Sequence, residues 1–216
     1  ARSAARVRMF VLAARRLPRP STLRIAALSR PPAERLLTSE HCTLEQFDPP
    51  TAASGTAHGL GPEYWLSCSA DGRLDALPRS EEEELPPPTA LGASKLLRLA
   101  LLPKGGAGAS SPADMDDSGA AIGTRLLLSD ARVRVWEFRL DPGERCPFHV
   151  HRLPYCFTNL STNLTQALDE DGGAVGEPAW QTQRRTCYVP RESLGAHGVR
   201  NVGTETFLQF IVEFKC

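Results

Sequence analysis

The sequence lacks any pair of cysteines in the CxxC spacing, although it contains six cysteines among 216 residues. It therefore resembles neither a zinc knuckle nor a compact disulfide scaffold, and free thiols in a reducing compartment are expected. An excess of charge is also missing, with 25 basic and 25 acidic residues, and no apolar run approaches the roughly 20 residues of a membrane-spanning helix. We therefore expect neither nucleic acid nor a membrane as a partner.

Acidic residues are absent from the first 33 positions, which contain eight arginines; the first acid is Glu34. A segment rich in Arg, Ala, Ser and Leu and free of acid is typical of an organelle transit peptide. We predict that residues 1–32 direct the protein to mitochondria or plastids, with Met9 as the natural start. The alternative is a disordered basic tail on a cytoplasmic protein. A nucleic-acid-binding arm is disfavoured because aromatic side chains are nearly absent there.

Convincing helical periodicity is missing as well. The residue pattern changes near residue 121, from linker-rich sequence to short apolar segments separated by turns. Residues 33–120 include Gly- and Ser-rich linkers, such as KGGAGASSPADMDDSGA at 104–120, and are predicted to form a poorly structured or mixed N-terminal extension. Within it, LGASKLLRLALLP is compatible with a short helix or with a strand. In residues 121–216, short apolar segments alternate with turn signals, which predicts an all-β domain.

Two segments of this C-terminal part show the strand pattern in detail. In RVRVWEFRL the apolar phase switches near Val135, which predicts a bulge or a strong bend. In TFLQFIVEFKC, one face is occupied by Leu208, Phe210, Val212 and Phe214. Many short strands without helices favour an antiparallel sandwich or barrel.

The densest chemical signal is PGERCPFHVH, in which His149 and His151 are separated by one residue after a Pro-Gly turn. Residues i and i+2 of a strand project from the same face, so both imidazoles can bind one metal ion. His197, in GAHGVRN, is the candidate third ligand from a neighbouring strand. The alternative is a strand whose histidines are merely packed or solvated. His41 and His58 lie in the N-terminal half and are expected to take no part.

These motifs resemble those of the cupin superfamily. Gly143, five further residues and HxH are similar to its first motif, and His197 followed after three residues by Asn201 is similar to the end of its second. The resemblance covers about residues 121–216. It implies a small antiparallel cupin-like β-barrel of the jelly-roll type with a metal inside, and a homodimer. A barrel of under about 100 residues also buries limited apolar area on its own, which favours the dimer.

The glutamate of the first cupin motif would fall at Tyr155 or Cys156, so the resemblance implies a metal held by His149, His151 and His197 alone. Three neutral imidazoles leave the charge of a divalent ion uncompensated, which favours a small anionic ligand. Imidazole ligands suit several metals: iron is expected, with zinc, nickel, manganese and copper as alternatives.

The predicted function is that of an enzyme acting on a small acidic molecule at this centre, a dioxygenase if the metal is iron. Zinc would favour hydration or hydrolysis instead. Candidate substrate-binding residues are Tyr155, Cys156 and Arg200. Some three-histidine cupins, the thiol dioxygenases, also have a cysteine where Cys156 stands, so thiol oxidation is a further alternative.

No clear general base accompanies the histidines, so catalysis itself is an open question. A non-catalytic small-molecule-binding or sensing module is the alternative from another class, and a structural barrel with vestigial histidines is the third. The fold alone does not separate these functions.

Overall fold

The computed structural model describes residues 33–47, 63–78, 93–102 and 122–215. The predicted targeting segment, the linker at 104–120 and His58 lie outside these ranges. Within them the chain forms 14 β-strands and one 3₁₀ turn at Arg191–Ser193, and no α-helix. Consequently no helix in the described ranges has the length and apolar character needed to cross a membrane. The prediction of an all-β, antiparallel fold for residues 121–216 is confirmed.

The described part of the N-terminal extension forms an antiparallel sheet. Its strands are Ala33–Thr38 (β1), Cys42–Phe47 (β2), Glu63–Ser69 (β3), Leu74–Pro78 (β4) and Ala93–Leu101 (β5). They lie in the spatial order β1-β2-β5-β3-β4, and we call them the extension sheet.

The apolar run in LGASKLLRLALLP is therefore a strand, β5, in the middle of this sheet. Both of its faces are buried: Leu97 and Leu99 face one core, and Leu96 packs with Phe47 and Trp65 on the other side. A strand buried on both faces shows no alternation of apolar and polar residues, which is why its sequence resembles that of a buried helix.

The C-terminal part forms two further antiparallel sheets. Its strands are Arg125–Ser129 (β6), Val133–Leu140 (β7), Arg145–Val150 (β8), Tyr155–Asn159 (β9), Asn163–Leu168 (β10), Ala174–Gln181 (β11), Thr186–Val189 (β12), Ala196–Asn201 (β13) and Phe207–Phe214 (β14). The central sheet has the order β12-β9-β14-β7-β6, and the histidine sheet has the order β11-β10-β13-β8. Together they make the antiparallel β-barrel predicted for residues 121–216.

The central sheet is buried on both faces. Its outer face shares a core with the extension sheet, which contains Val133, Val135, Phe210, Val212 and Phe214 on one side and Leu44, Leu66, Leu97 and Leu99 on the other. Its inner face packs towards the histidine sheet in a smaller core that includes Phe138, Leu140, Phe207, Ile211 and Cys146. The extension is thus a third layer rather than a separate appendage.

These two cores explain the switch of the apolar phase in β7. Val133 and Val135 face the extension sheet, whereas Phe138 and Leu140, on the opposite alternation, face the histidine sheet. The pairing of β7 with β14 is unbroken along its whole length. The predicted bulge lies instead in the neighbouring strand β6. A change of buried face, and not a bend of β7, moves the apolar phase.

Polar side chains also connect the extension sheet to the barrel. The Tyr64 hydroxyl donates to Asp130 Oδ2 at 2.6 Å. Arg125 donates to the carbonyl oxygen of Leu74 at 2.8 Å. Both bonds lie close to the core shared by the two sheets, where partial burial strengthens them.

Candidate metal centre

The barrel brings His149, His151 and His197 together. His149 lies in β8 directly opposite His197 in β13. His151 follows β8, where its backbone N–H donates to the Gly195 carbonyl oxygen at 3.0 Å. One candidate ligand atom from each imidazole lies within 4.8 Å of the other two. The three histidines predicted to act together therefore do lie together.

Gly198 allows β13 to approach β8 closely beside this cluster. A Cβ at this position would lie 3.2 Å from the Cys146 carbonyl oxygen and 3.3 Å from the backbone nitrogen of Phe148. A Cβ at Gly195 would meet nothing within 4 Å. Of Gly195 and Gly198, only Gly198 lies at a close approach of two strands.

A hydrogen bond fixes the tautomer of His149. Its Nδ1 lies 2.9 Å from the carbonyl oxygen of Pro147, which can only accept, so Nδ1 carries the proton. The other nitrogen, Nε2, therefore presents a lone pair, and it lies 3.2 Å from Nε2 of His151. Two nitrogens that each lie ~2.1 Å from one ion are at most ~4.2 Å apart, so this separation suits shared ligation. A backbone carbonyl on the far nitrogen is also the usual support of a metal-binding histidine.

The cluster leaves part of its hydrogen-bonding capacity unused. In the described part of the chain, His151 Nδ1 is a buried atom without a hydrogen-bond partner. Buried polar atoms normally have one. A metal ion bound at the Nε2 atoms of His149 and His151 would require the His151 proton to lie on Nδ1, where no hydrogen-bond partner in the described residues competes for it. Three imidazoles that can each offer a nitrogen to one point fit a divalent metal ion.

Burial keeps the three imidazoles neutral. It lowers the pKa of His149, against an opposing contribution from the Pro147 carbonyl. Burial, followed by the charges of His197 and His149, lowers the pKa of His151 to about 3. Burial, followed by His149, lowers the pKa of His197 to about 4. Neutral imidazole is the form that binds metals, so the cluster is ready to do so at neutral pH.

The histidines line a cavity of about 150 Å³ between the central and histidine sheets. Its apolar walls are Ile122, Phe138, Phe157, Val199, Phe207 and Ile211, and its further polar lining is Tyr155, Thr165, Gln181 and Gln209. Among the described residues, no Asp, Glu, Lys or Arg side chain lines it. A cavity of this size holds a molecule of about six non-hydrogen atoms.

Tyr155, predicted as a substrate-binding residue, is part of this lining. Its ring stacks on that of His151 with the centroids 4.1 Å apart and the planes 14° apart. Burial, followed by the charges of Cys187 and Glu213, raises the pKa of its phenol to about 12, so the hydroxyl stays neutral. An aromatic ring against the imidazole thus occupies the region where the cupin motif would place a carboxylate.

The other two predicted substrate-binding residues do not line the cavity. Cys156 points to the opposite face of β9 from Tyr155 and is buried in the core shared with the extension sheet. Arg200 is exposed and donates to the Gly143 carbonyl oxygen at 3.3 Å. It follows Val199, which does face the cavity. Strand alternation turns both side chains away from the histidines.

Sequence reasoning missed the polar residues of the far wall. Gln209 carries a weak signal, since it and Glu213 are the two polar residues inside a mainly apolar strand, FLQFIVEF. Thr165 and Gln181 carry none, because polar residues are common throughout β10 and β11. Their arrangement depends on strand pairing, which no local pattern encodes.

Comparisons with known proteins assign no activity to this chain. No family model matches the chain, and no curated protein does. A solved cupin domain from Bordetella pertussis is 23% identical, with 43% of this chain and 91% of that chain covered and a TM-score of 0.37. An RmlC-like cupin protein with a double-stranded β-helix fold from Methanocaldococcus jannaschii is 18% identical, with 46% and 84% covered and a TM-score of 0.33. The polyketide cyclase RemF from Streptomyces resistomycificus is 20% identical, with 43% and 63% covered and a TM-score of 0.32.

Proposed function

We propose that this protein binds a divalent metal ion through His149, His151 and His197 and acts as an enzyme on a small anionic molecule in the adjoining cavity. The observation that carries this proposal is the geometry of His149. Its proton is held at Nδ1 by the Pro147 carbonyl oxygen, and its free Nε2 lies 3.2 Å from Nε2 of His151.

The preference for an anion follows from the charge balance of the site. The three imidazoles are neutral, and the described lining contains no carboxylate. A divalent ion held there keeps its full charge in a partly apolar cavity, where an anionic group of the ligand would offset it. The cavity accommodates about six non-hydrogen atoms of that ligand.

The chemistry at such a centre depends on the ion: iron would supply oxygenation, and zinc would supply a water of lowered pKa. The chain's own contribution is to orient the reactants and exclude water. His149 and His151 are each only 4% exposed. Tyr155 holds the His151 ring in place by stacking and presents a neutral hydroxyl, since burial raises the pKa of its phenol.

Metal content per chain tests the proposal directly. Protein made without a histidine tag is loaded with iron or zinc, dialysed, and analysed for metal alongside His197→Ala. His197→Ala leaves only two imidazoles to hold the ion. Its affinity for the metal should therefore fall by more than the ~10–100-fold that loss of a supporting hydrogen bond causes. Equal metal content in the two proteins would refute the site.

His41→Ala is the matched control. The His41 ring stacks on Phe214 at 5.0 Å, on the extension side of the central sheet, and does not line the cavity. Its removal should leave the bound metal unchanged. His58→Ala is predicted to behave in the same way.

A non-catalytic ligand-binding module is the second candidate. No carboxylate in the described lining can act as a base, and the three histidines would all be bound to the metal. A general base is therefore missing from the described lining. The iron-loaded protein should consume oxygen when a small acid or thiol that it accepts is added. Tight binding of such a molecule without any turnover would favour the binding module over the enzyme.

A further inference from the structure

Gln209 lines one wall of the cavity and belongs to a hydrogen-bond network. One backbone carbonyl determines which atom donates in each bond of this network. Asn159 is 1% exposed, and its Nδ2 donates to the Thr182 carbonyl oxygen at 3.1 Å. Because that carbonyl can only accept, the amide group of Asn159 has one orientation. Its Oδ1 must then be the atom that faces Gln209.

The orientation of the Asn159 amide also determines the orientation of the Gln209 amide. Its Nε2 donates to Asn159 Oδ1 at 2.8 Å, so the other end of its amide is the carbonyl oxygen Oε1. Among the described residues no donor is bonded to Oε1, and the side chain lines the cavity. Gln209 therefore offers the cavity a hydrogen-bond acceptor whose identity two further residues enforce.

Gln181 is oriented in the opposite sense. Arg185, which can only donate, is bonded to Gln181 Oε1 at 3.2 Å. The amide nitrogen of Gln181 thus faces Thr165, whose Oγ1 it reaches at 3.3 Å. This nitrogen has a second hydrogen to donate. Gln181 immediately precedes Thr182, which anchors Asn159, so the acceptor and the donor belong to one region of the wall.

From this arrangement we infer that the ligand carries a hydroxyl group at the end remote from its anionic group, and that Gln209 is the residue that selects it. The inference rests on the proposed function for the anionic end. A hydroxyl both donates and accepts, and so matches Gln209 Oε1 and Gln181 Nε2 together. A second carboxylate would face the lone pairs of Oε1 with no cation in the described lining to offset its charge.

An ammonium group fits the wall less well than a hydroxyl. It could donate to Gln209 Oε1, but it could not accept from Gln181. Its charge would also be moved from water to a cavity without a carboxylate, which is costly. The class of ligand is therefore a small hydroxy acid rather than a diacid or an amino acid.

Calorimetric titration of zinc-loaded protein tests this inference without any reaction. The probes are 3-hydroxypropanoate and butanoate, which has the same number of non-hydrogen atoms and a methyl group in place of the hydroxyl. In the wild type, 3-hydroxypropanoate should bind about three- to tenfold more tightly than butanoate, as one net hydrogen bond provides.

Gln209→Leu should bring the ratio of the two dissociation constants close to one while zinc content stays unchanged. Gln209→Met keeps a longer unbranched chain and serves if the leucine variant does not fold. Gln183→Leu is the matched control: this exposed glutamine donates to the Leu160 carbonyl oxygen and does not line the cavity, so the ratio should stay as in the wild type.

The outcomes separate the two proposals. If zinc loads and both monoacids bind equally well to the wild type, or if Gln209→Leu retains the preference, the hydroxyl inference is refuted and the metal site stands. If zinc does not load, or no acid binds to the loaded protein, the proposed function is refuted and the inference with it.

Discussion

The bond from Tyr64 to Asp130 connects the extension sheet to the barrel and can be removed without changing the packing. In Tyr64→Phe the ring, only 2% exposed in the wild type, remains, and the hydroxyl that donates to Asp130 Oδ2 at 2.6 Å is lost. Asp130 keeps the backbone N–H groups of Arg132 and Val133, which donate to Oδ1 at 2.7 and 2.9 Å. The variant therefore keeps the ring and removes the hydrogen bond to an ionised carboxylate.

The expected loss follows from the charge and the partial burial of this pair. A hydrogen bond to a charged group contributes about 1.5–3 kcal/mol to the free energy of unfolding. Since Asp130 is partly exposed, water replaces some of the lost bond, so we expect about 1.5–2 kcal/mol at pH 7. That corresponds to a roughly 10- to 30-fold larger unfolding constant.

The loss should depend on pH in a defined direction. Burial raises the pKa of Asp130, but the Tyr64 hydroxyl, the two backbone amides and Lys215 outweigh it, and the net result is a pKa below the ordinary value of an aspartate. A lowered folded-state pKa means that the contribution is fully present above the unfolded pKa and disappears as pH falls through the folded pKa. The deficit of Tyr64→Phe should therefore be constant near neutrality and shrink below about pH 4.

Urea unfolding followed by tryptophan fluorescence, at pH 7 and at a series of lower pH values, measures this deficit. Tyr188→Phe is the matched control, because its hydroxyl donates at 2.8 Å to Glu40, whose side chain is 68% exposed. Its loss should stay below about 1 kcal/mol. Equal deficits for the two variants at pH 7, or a Tyr64→Phe deficit that grows on acidification, would contradict the reasoning.

Further expectations concern the shared core, the assembly and the N-terminus. Leu99→Ala, at a fully buried position of the extension sheet, should lower the free energy of unfolding by about 2–5 kcal/mol. Leu126→Ala, at a position that is 46% exposed, should lower it by less than about 0.5 kcal/mol. Similar losses for the two variants in urea titrations would contradict the shared core. We propose a homodimer, which a monomer mass by light scattering at micromolar concentration would exclude. We also propose that residues 9–32 fused to a fluorescent reporter direct it into mitochondria or plastids; a reporter retained in the cytosol would remove that assignment.

Local pattern was sufficient for the strands of the C-terminal part and for the adjacent pair of metal-binding candidates. Alternation in FLQFIVEF placed Phe210, Val212 and Phe214 on one face, and the structure buries them in one core. His149 and His151 share a face because a strand has a period of two, which is a property of the backbone. His197 was the histidine left downstream, and strand pairing sets it opposite His149.

Local pattern was insufficient wherever a strand is buried on both faces. The run containing Leu96, Leu97 and Leu99 did not distinguish helix from strand. The two sides of β5 are buried in different cores, so the strand lacks an alternation of apolar and polar residues. The phase switch in β7 predicted a bulge for the same reason, while it marks a change of packing partner. The sequence alone does not state which layer covers which face.

The composition of the cavity was decided by tertiary structure. Tyr155 and Cys156 are neighbours in the chain, yet one lines the cavity and the other faces the extension sheet. Gln209 acquires its acceptor role from Asn159 and from the Thr182 carbonyl oxygen, which is distant in sequence. The sequence by itself determined which side chains share a strand face, because that follows from backbone geometry within a few residues. Only the pairing of distant strands decided which faces enclose the cavity, because that depends on burial and hydrogen bonding across the whole barrel.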